Sequence, residues 1–144
     1  MPISAFISSV EVMSDLAYKP ALGHITTFGG HPVTSAAAYA CLDTLVGSDL
    51  ISQVRDKSEL FGELLVHPII AEVRPAGLMM AVALTRKRYL KHVVEYTIDN
   101  GGLVDWFLFN QSAFRLAPPL IITEDQIRDA CKLLLEACDY AAAK

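Results

Sequence analysis

The chain has 144 residues and a net charge of −4, with 53% hydrophobic and 19% charged residues. That length is one domain's worth of protein and can bury a sizeable core, and the acidic balance argues against nucleic-acid and anionic-membrane partners, which attract basic faces. The charged share falls below the quarter or so usual for soluble domains, and mean hydropathy is +0.37. No stretch approaches the ~18 apolar residues that crossing a membrane requires. The apolar excess therefore points to surface that a partner subunit or a further domain covers. The N-terminus has no basic run leading an apolar core, so a reducing cytoplasm is the expected compartment.

In chain order, residues 2–8 alternate in hydrophobicity and predict a strand. Residues 9–16 suggest a short helix, and residues 17–31 a loop. From Pro32 to about Leu45 the pattern is helical, with a stripe of mainly small side chains (Val33, Ala36, Ala37, Ala40, Cys41) that permits close approach of another element. Gly47 ends it, Ser48 can cap, and a second helix is predicted to run to about Val66 on Leu50, Val54, Phe61, Leu64 and Leu65. Residues 70–74 and 78–84 predict two strands around a Pro75-Ala76-Gly77 turn. A helix over 86–100 turns Leu90, Val93, Val94, Thr97 and Ile98 inward, and Gly101 and Gly102 stop it. Strands are predicted over 103–107 and 113–117. The last helix opens on Thr123-Glu124-Asp125-Gln126, a capping box, with Ile127, Ala130, Cys131, Leu134 and Cys138 on one face. The order from residue 69 predicts an α+β fold, a mostly antiparallel small sheet covered by helices. Residues 1–48 fit that layer poorly and suggest the tail of something larger.

The chemistry concentrates in two places. Residues 24–33 read His-Ile-Thr-Thr-Phe-Gly-Gly-His-Pro-Val: Thr26 and Thr27 bring hydroxyl donors, Gly29 and Gly30 let backbone N–H groups approach a ligand, and Pro32 suits the first turn of a helix. Such a loop is a natural neighbour for phosphate or carboxylate, and equally an ordinary tight turn. Arg115, flanked by apolar residues in Phe114-Arg115-Leu116-Ala117, either pairs with a carboxylate or phosphate or turns to water at a sheet edge. Arg74 is expected to hold the turn after it, and Asp105 to be a satisfied structural carboxylate. Cys41, Cys131 and Cys138 show no metal-ligand spacing with His24, His31, His67 and His92, so no metal site is expected. None of the six lysines looks desolvated enough to be an activated amine, and no nucleophile stands beside a base. An anion loop and a carboxylate-binding arginine without a catalytic group are what half of an enzyme would carry.

Three segments resemble the class III aminotransferases, pyridoxal-phosphate enzymes that include ornithine and acetylornithine aminotransferases. They are Gly23-His24-Ile25-Thr26-Thr27-Phe28-Gly29-Gly30-His31-Pro32, Val73-Arg74-Pro75-Ala76-Gly77-Leu78-Met79, and Phe114-Arg115-Leu116-Ala117-Pro118-Pro119-Leu120 with Ile122-Thr123-Glu124. The resemblance implies the C-terminal portion of such an enzyme, with the small domain of fold-type I at residues 49–144. Residues 1–48 would be a strand, phosphate loop and linker helix left from the large domain. Thr27, with Thr26, would donate to the phosphate of pyridoxal 5'-phosphate on the neighbouring subunit of a homodimer, and Arg115 would bind the substrate α-carboxylate. The family's Schiff-base lysine lies a few residues before a segment similar to Met1-Pro2-Ile3, so the chain alone is expected to be inactive in transferring amino groups between amino acids and 2-oxo acids. The missing large domain and self-association are the partners implied. A free-standing anion-binding or assembly module is the alternative. Two departures stand out: His31 replaces the family's usual Asn, and Pro75 its usual hairpin Gly.

Overall fold

The computed structural model describes residues 2–17, 21, 23 and 25–144. It divides into two compact units, Met1–Ser48 and Asp49–Lys144, and each is described by itself. His24 of the loop motif and Lys19 among the lysines lie outside the described residues.

In the first unit, helix α1 spans Val10–Ser14 and helix α2 spans Pro32–Val46. Ser9 caps α1, its hydroxyl accepting from the Val12 N–H at 3.3 Å. The strand predicted over residues 2–8 is not formed: residues 2–9 have no regular structure and are all exposed. An alternating pattern becomes a strand only where neighbours complete its ladder, and among the described residues none pairs with these. Helix α2 keeps its predicted start and stop. Pro32 occupies its first turn, and the Gly47 N–H closes the last one on the Asp43 carbonyl at 2.8 Å. Its small-residue stripe faces solvent, and none of its residues is buried.

The second unit holds every buried residue among those described. Helix α3 spans Val54–Leu64, β1 Ile70–Ala76, β2 Met79–Leu84, α4 Arg88–Asp99, β3 Asp105–Phe107, β4 Asn110–Leu116 and α5 Glu124–Ala142. The strands form one antiparallel sheet in the order β1-β2-β4-β3. Helix α4 lies against β4 and β3 and packs on α5, which also receives α3. Met80, Val82 and Phe114 from the sheet meet Val93, Ile127, Cys131 and Cys138 from the helices in a single core, each at most 2% exposed. On the other face of the sheet Arg74, Arg115 and Asp105 are exposed and Ala81 is partly buried.

Local chemistry accounts for these boundaries. The Thr123 hydroxyl accepts from the Gln126 N–H at 3.3 Å, while the Gln126 side chain accepts from the Thr123 N–H at 3.0 Å, so both halves of the capping box are present. Helix α3 starts at Val54 rather than near Ser48. Residues 49–53 form turns in which the Gln53 N–H bonds to the Asp49 carbonyl at 3.1 Å, and the Ser52 hydroxyl bonds the same carbonyl. The N-cap position falls on Gln53, which makes no side-chain capping bond. Pro75 and Ala76 belong to β1, and the turn moves to Gly77 and Leu78. Proline is tolerated there because β1 is an edge strand, whose outward side needs no N–H. Gly77 has φ +62°, and a Cβ on it would sit 2.9 Å from Val54 Cγ1, so this turn needs glycine twice over. On α4, Val93, Val94 and Thr97 are buried as predicted, but Ile98 is 48% exposed. Tyr89, one turn before Val93, is buried on the same helix.

Candidate functional site

The loop before α2 is built from short-range bonds. The Gly29 N–H donates to the Thr26 carbonyl and the His31 N–H to the Phe28 carbonyl, each at 3.1 Å. A Cβ on Gly29 would lie 2.7 Å from Thr26 Oγ1, so the loop closes over a space only glycine leaves open. His31 caps α2: its Nδ1 accepts from the Val33 N–H at 3.3 Å, and Thr34 Oγ1 donates to its carbonyl at 2.9 Å. An imidazole nitrogen thus does the work that a side-chain oxygen does at other helix starts. Thr26 and Thr27 are both exposed beside the N-terminus of a 15-residue helix. Their hydroxyls make no hydrogen bond among the described residues. Two free hydroxyl donors and a glycine-shaped opening suit a phosphate.

The second cluster sits on the face of the sheet opposite the core. Strand alternation sends Phe114 and Leu116 into the core and turns Arg115 the other way. The register then lines up one row across all four strands: Arg74 opposite Ala81, Ala81 opposite Arg115, and Arg115 opposite Asp105. Arg115 Nη2 donates to Asp105 Oδ2 at 2.7 Å, and the two side chains are 45% and 54% exposed. Asp105 Oδ1 accepts from the Trp106 N–H at 2.9 Å, so the carboxylate is pinned to its own backbone. Arg74 Nη1 donates to Glu72 Oε2 at 2.7 Å. Alanine at position 81 leaves a recess of about 560 Å³ whose walls include both arginines, Asp105, Phe107 and Asn110.

Of the two alternatives for Arg115, the structure shows a carboxylate partner, Asp105, rather than an edge-strand position, although the pair is not buried. Strand β4 is interior to the sheet, and the guanidinium is half-exposed with one carboxylate neighbour. Asp105 has the paired role expected of it. Arg74 lines the recess instead of bracing the turn. The pairing of Asp105 with Arg115 was not read from the sequence, although the signal was present: a hairpin through residues 105–116 sets the two opposite once the register shift at Trp106/Phe107 is allowed. The threonines belong to the first unit and the arginines to the second.

Comparison with known proteins accords with these features. The family model for aminotransferase class-III matches residues 1–138. An acetylornithine aminotransferase of Mycobacterium leprae is 40% identical over 134 residues, covering 88% of this chain and 31% of the relative. The acetylornithine aminotransferase of Mycolicibacterium smegmatis is 40% identical over 148 residues, covering 99% of this chain and 36% of the relative. An ornithine aminotransferase structure from Plasmodium yoelii superposes with a TM-score of 0.74 at 23% identity, over 88% of this chain and 34% of that one, a likeness of fold. The chain spans about a third of the length of the curated relatives it matches. This chain belongs to the class III aminotransferase family.

Proposed function

We propose that the chain is the C-terminal part of a pyridoxal-phosphate-dependent aminotransferase acting on ornithine, acetylornithine or another ω-amino acid with a 2-oxo acid. In this reading residues 1–48 belong with the large domain and residues 49–144 are the small domain. The carrying observation is the Arg115 guanidinium, held half-exposed in a recess on the face of the sheet opposite the core. Its planar fork suits a carboxylate bidentately, and among the described residues only one of its N–H groups is engaged. Arg115 binds and orients the substrate carboxylate. Thr27, with Thr26, donates hydroxyl hydrogen bonds to the cofactor phosphate of a neighbouring subunit in a homodimer. When bound, pyridoxal phosphate supplies the electron sink for amino transfer.

The residues here position charge and do no bond-making. Lys57 donates to the Leu120 carbonyl at 2.8 Å, Lys91 pairs with Glu95 at 3.6 Å, and Lys144 lies over the Tyr140 ring. Among the described residues, no lysine lines the Arg115 recess. The chain alone is therefore expected to show no turnover with pyridoxal phosphate, N-acetylornithine or ornithine, and a 2-oxo acid. Turnover above the protein-free rate would overturn that. Acetate titration, followed at the Asp105, Trp106 and Phe114 backbone amide resonances, tests the binding role. Arg115→Lys, which keeps the charge and loses the fork, should weaken acetate binding, and an unchanged affinity would contradict the assignment.

A further inference from the structure

We propose that the cavity between the C-terminal end of α4, the first half of α5 and the segment after β4 binds a small primary amine carried on an apolar body, with Asp129 receiving the ammonium. The cavity shares no lining residue with the Arg115 recess, so the proposal stands apart from the carboxylate reading.

Its walls are fixed by local chemistry. Gly101 and Gly102 stop α4, and their N–H groups close back on the Ile98 and Thr97 carbonyls at 3.1 and 2.8 Å. A Cβ on Gly102 would lie 2.6 Å from Thr97 Cγ2 and 2.8 Å from Leu133 Cδ2. Thr97 is buried and β-branched and has little freedom to yield, so this wall needs glycine. The other wall is the segment 116–122, where Pro118 and Pro119 restrict the backbone. The Ile122 N–H bonds to the Pro119 carbonyl at 3.0 Å, and Lys57 Nζ donates to the Leu120 carbonyl at 2.8 Å, which ties the segment to α3. Between these walls lies a cavity of about 490 Å³ lined by Phe61, Thr97, Leu116 and Leu134, all buried. That volume is in the range of small-molecule sites. Exposed Leu103 and Asp129 also line it, so it opens to solvent.

Charge selects the occupant. The lining is mostly apolar, and its few polar side chains differ in what they leave free. Thr97 spends its hydroxyl on the Val93 carbonyl at 2.7 Å. Asn100 donates to the Tyr96 carbonyl at 2.8 Å, which leaves its Oδ1 as an acceptor. Among the described residues the Asp129 carboxylate has no ion-pair partner. Arg128 and Lys132 are its neighbours on α5, and neither lines the cavity. A carboxylate beside an apolar chamber repels an anion and offers a neutral apolar molecule burial alone. A cation on an apolar body gains burial and a charge-assisted hydrogen bond together. A primary ammonium has three N–H donors, enough for Asp129 and for a second acceptor such as Asn100 Oδ1.

The test titrates the whole chain at neutral pH with 3-phenylpropylamine, 3-phenylpropanol and 3-phenylpropionate, which share an apolar body and differ in charge. Binding is followed at the Gly101, Gly102, Leu103 and Ala130 backbone amide resonances. The amine should bind about twofold to fivefold more tightly than the alcohol, as an exposed ion pair allows, and the propionate most weakly. Asp129→Asn should bring the amine to the affinity of the alcohol and leave the alcohol unchanged. Ala130→Phe, at a half-buried position lining the cavity, should fill the space and weaken all three probes. Equal affinity of amine and alcohol, an amine preference that survives Asp129→Asn, or binding indifferent to Ala130→Phe would overturn the inference. So would the absence of any shift at these four amides. None of these results bears on Arg115 as a carboxylate site.

Discussion

The two units form helices for different reasons. Helix α2 has proline in its first turn, a side-chain cap at His31 and a glycine stop, yet none of its residues is buried. Helix α5 has an equally complete start at Thr123 and also buries Ile127, Cys131, Leu134, Ala137, Cys138 and Ala141. Local signals place both helices, but only burial supplies the free energy that holds a helix in a fixed tertiary setting. The first unit also leaves Phe6, Ile7, Val10, Phe28, Tyr39 and Val46 more than 70% exposed. Apolar surface on that scale marks a face made for contact. Burial thus concentrates the stabilising free energy in residues 49–144.

The largest effect should come from the core. Phe61→Ala or Phe114→Ala removes a side chain at most 1% exposed and should cost about 3–5 kcal/mol in urea unfolding. Tyr39→Ala on α2, where the ring is 72% exposed, should move the same transition by less than ~0.5 kcal/mol. Equal losses at the two positions would break the comparison.

Next come the caps. Thr123→Ala should destabilise the second unit by about 1 kcal/mol, whereas His31→Ala should lower helicity without shifting the main unfolding midpoint.

The cysteines sharpen the contrast through pH. Burial pushes the Cys131 thiol up to about 11 and the Cys138 thiol up to about 12, against an ordinary value of 9.0. Above pH ~9 the unfolded chain releases protons that the native state retains, so the stability slope is negative there. The contribution is fully present below pH ~9 and is lost as pH rises toward 11 and 12. Denaturation at stepped alkaline pH should show this decline, and Cys138→Ala should flatten it. A thiol-labelling reagent at neutral pH should modify exposed Cys41 alone in the folded chain and all three cysteines in urea.

The smallest effect belongs to the Arg115–Asp105 ion pair. With both side chains about half-exposed, Asp105→Asn should shift the urea transition by no more than ~1 kcal/mol.

What was legible in the sequence follows the same division. The helix caps, the strand-strand-helix order after residue 69 and the face of α5 are local or periodic signals, and they emerge with small shifts of boundary. The strand over residues 2–8 failed because its alternation described a face with no partner within the chain. The Arg115–Asp105 pair was hidden because it depends on hairpin register, which one irregularity at Trp106/Phe107 displaces. Arg74 was assigned to a turn because Pro75 suggested one, while the edge position of β1 let the strand run on.

Amide hydrogen exchange as a function of protein concentration tests the central claim most directly, because it compares α2 and α5 within one molecule. At a dilution where the chain sediments as a monomer, α5 should exchange with the full unfolding free energy and α2 should exchange rapidly. Protection of α2 should then rise with concentration as its exposed face finds a second copy. Protection of α2 equal to that of α5 in the monomer would contradict the account.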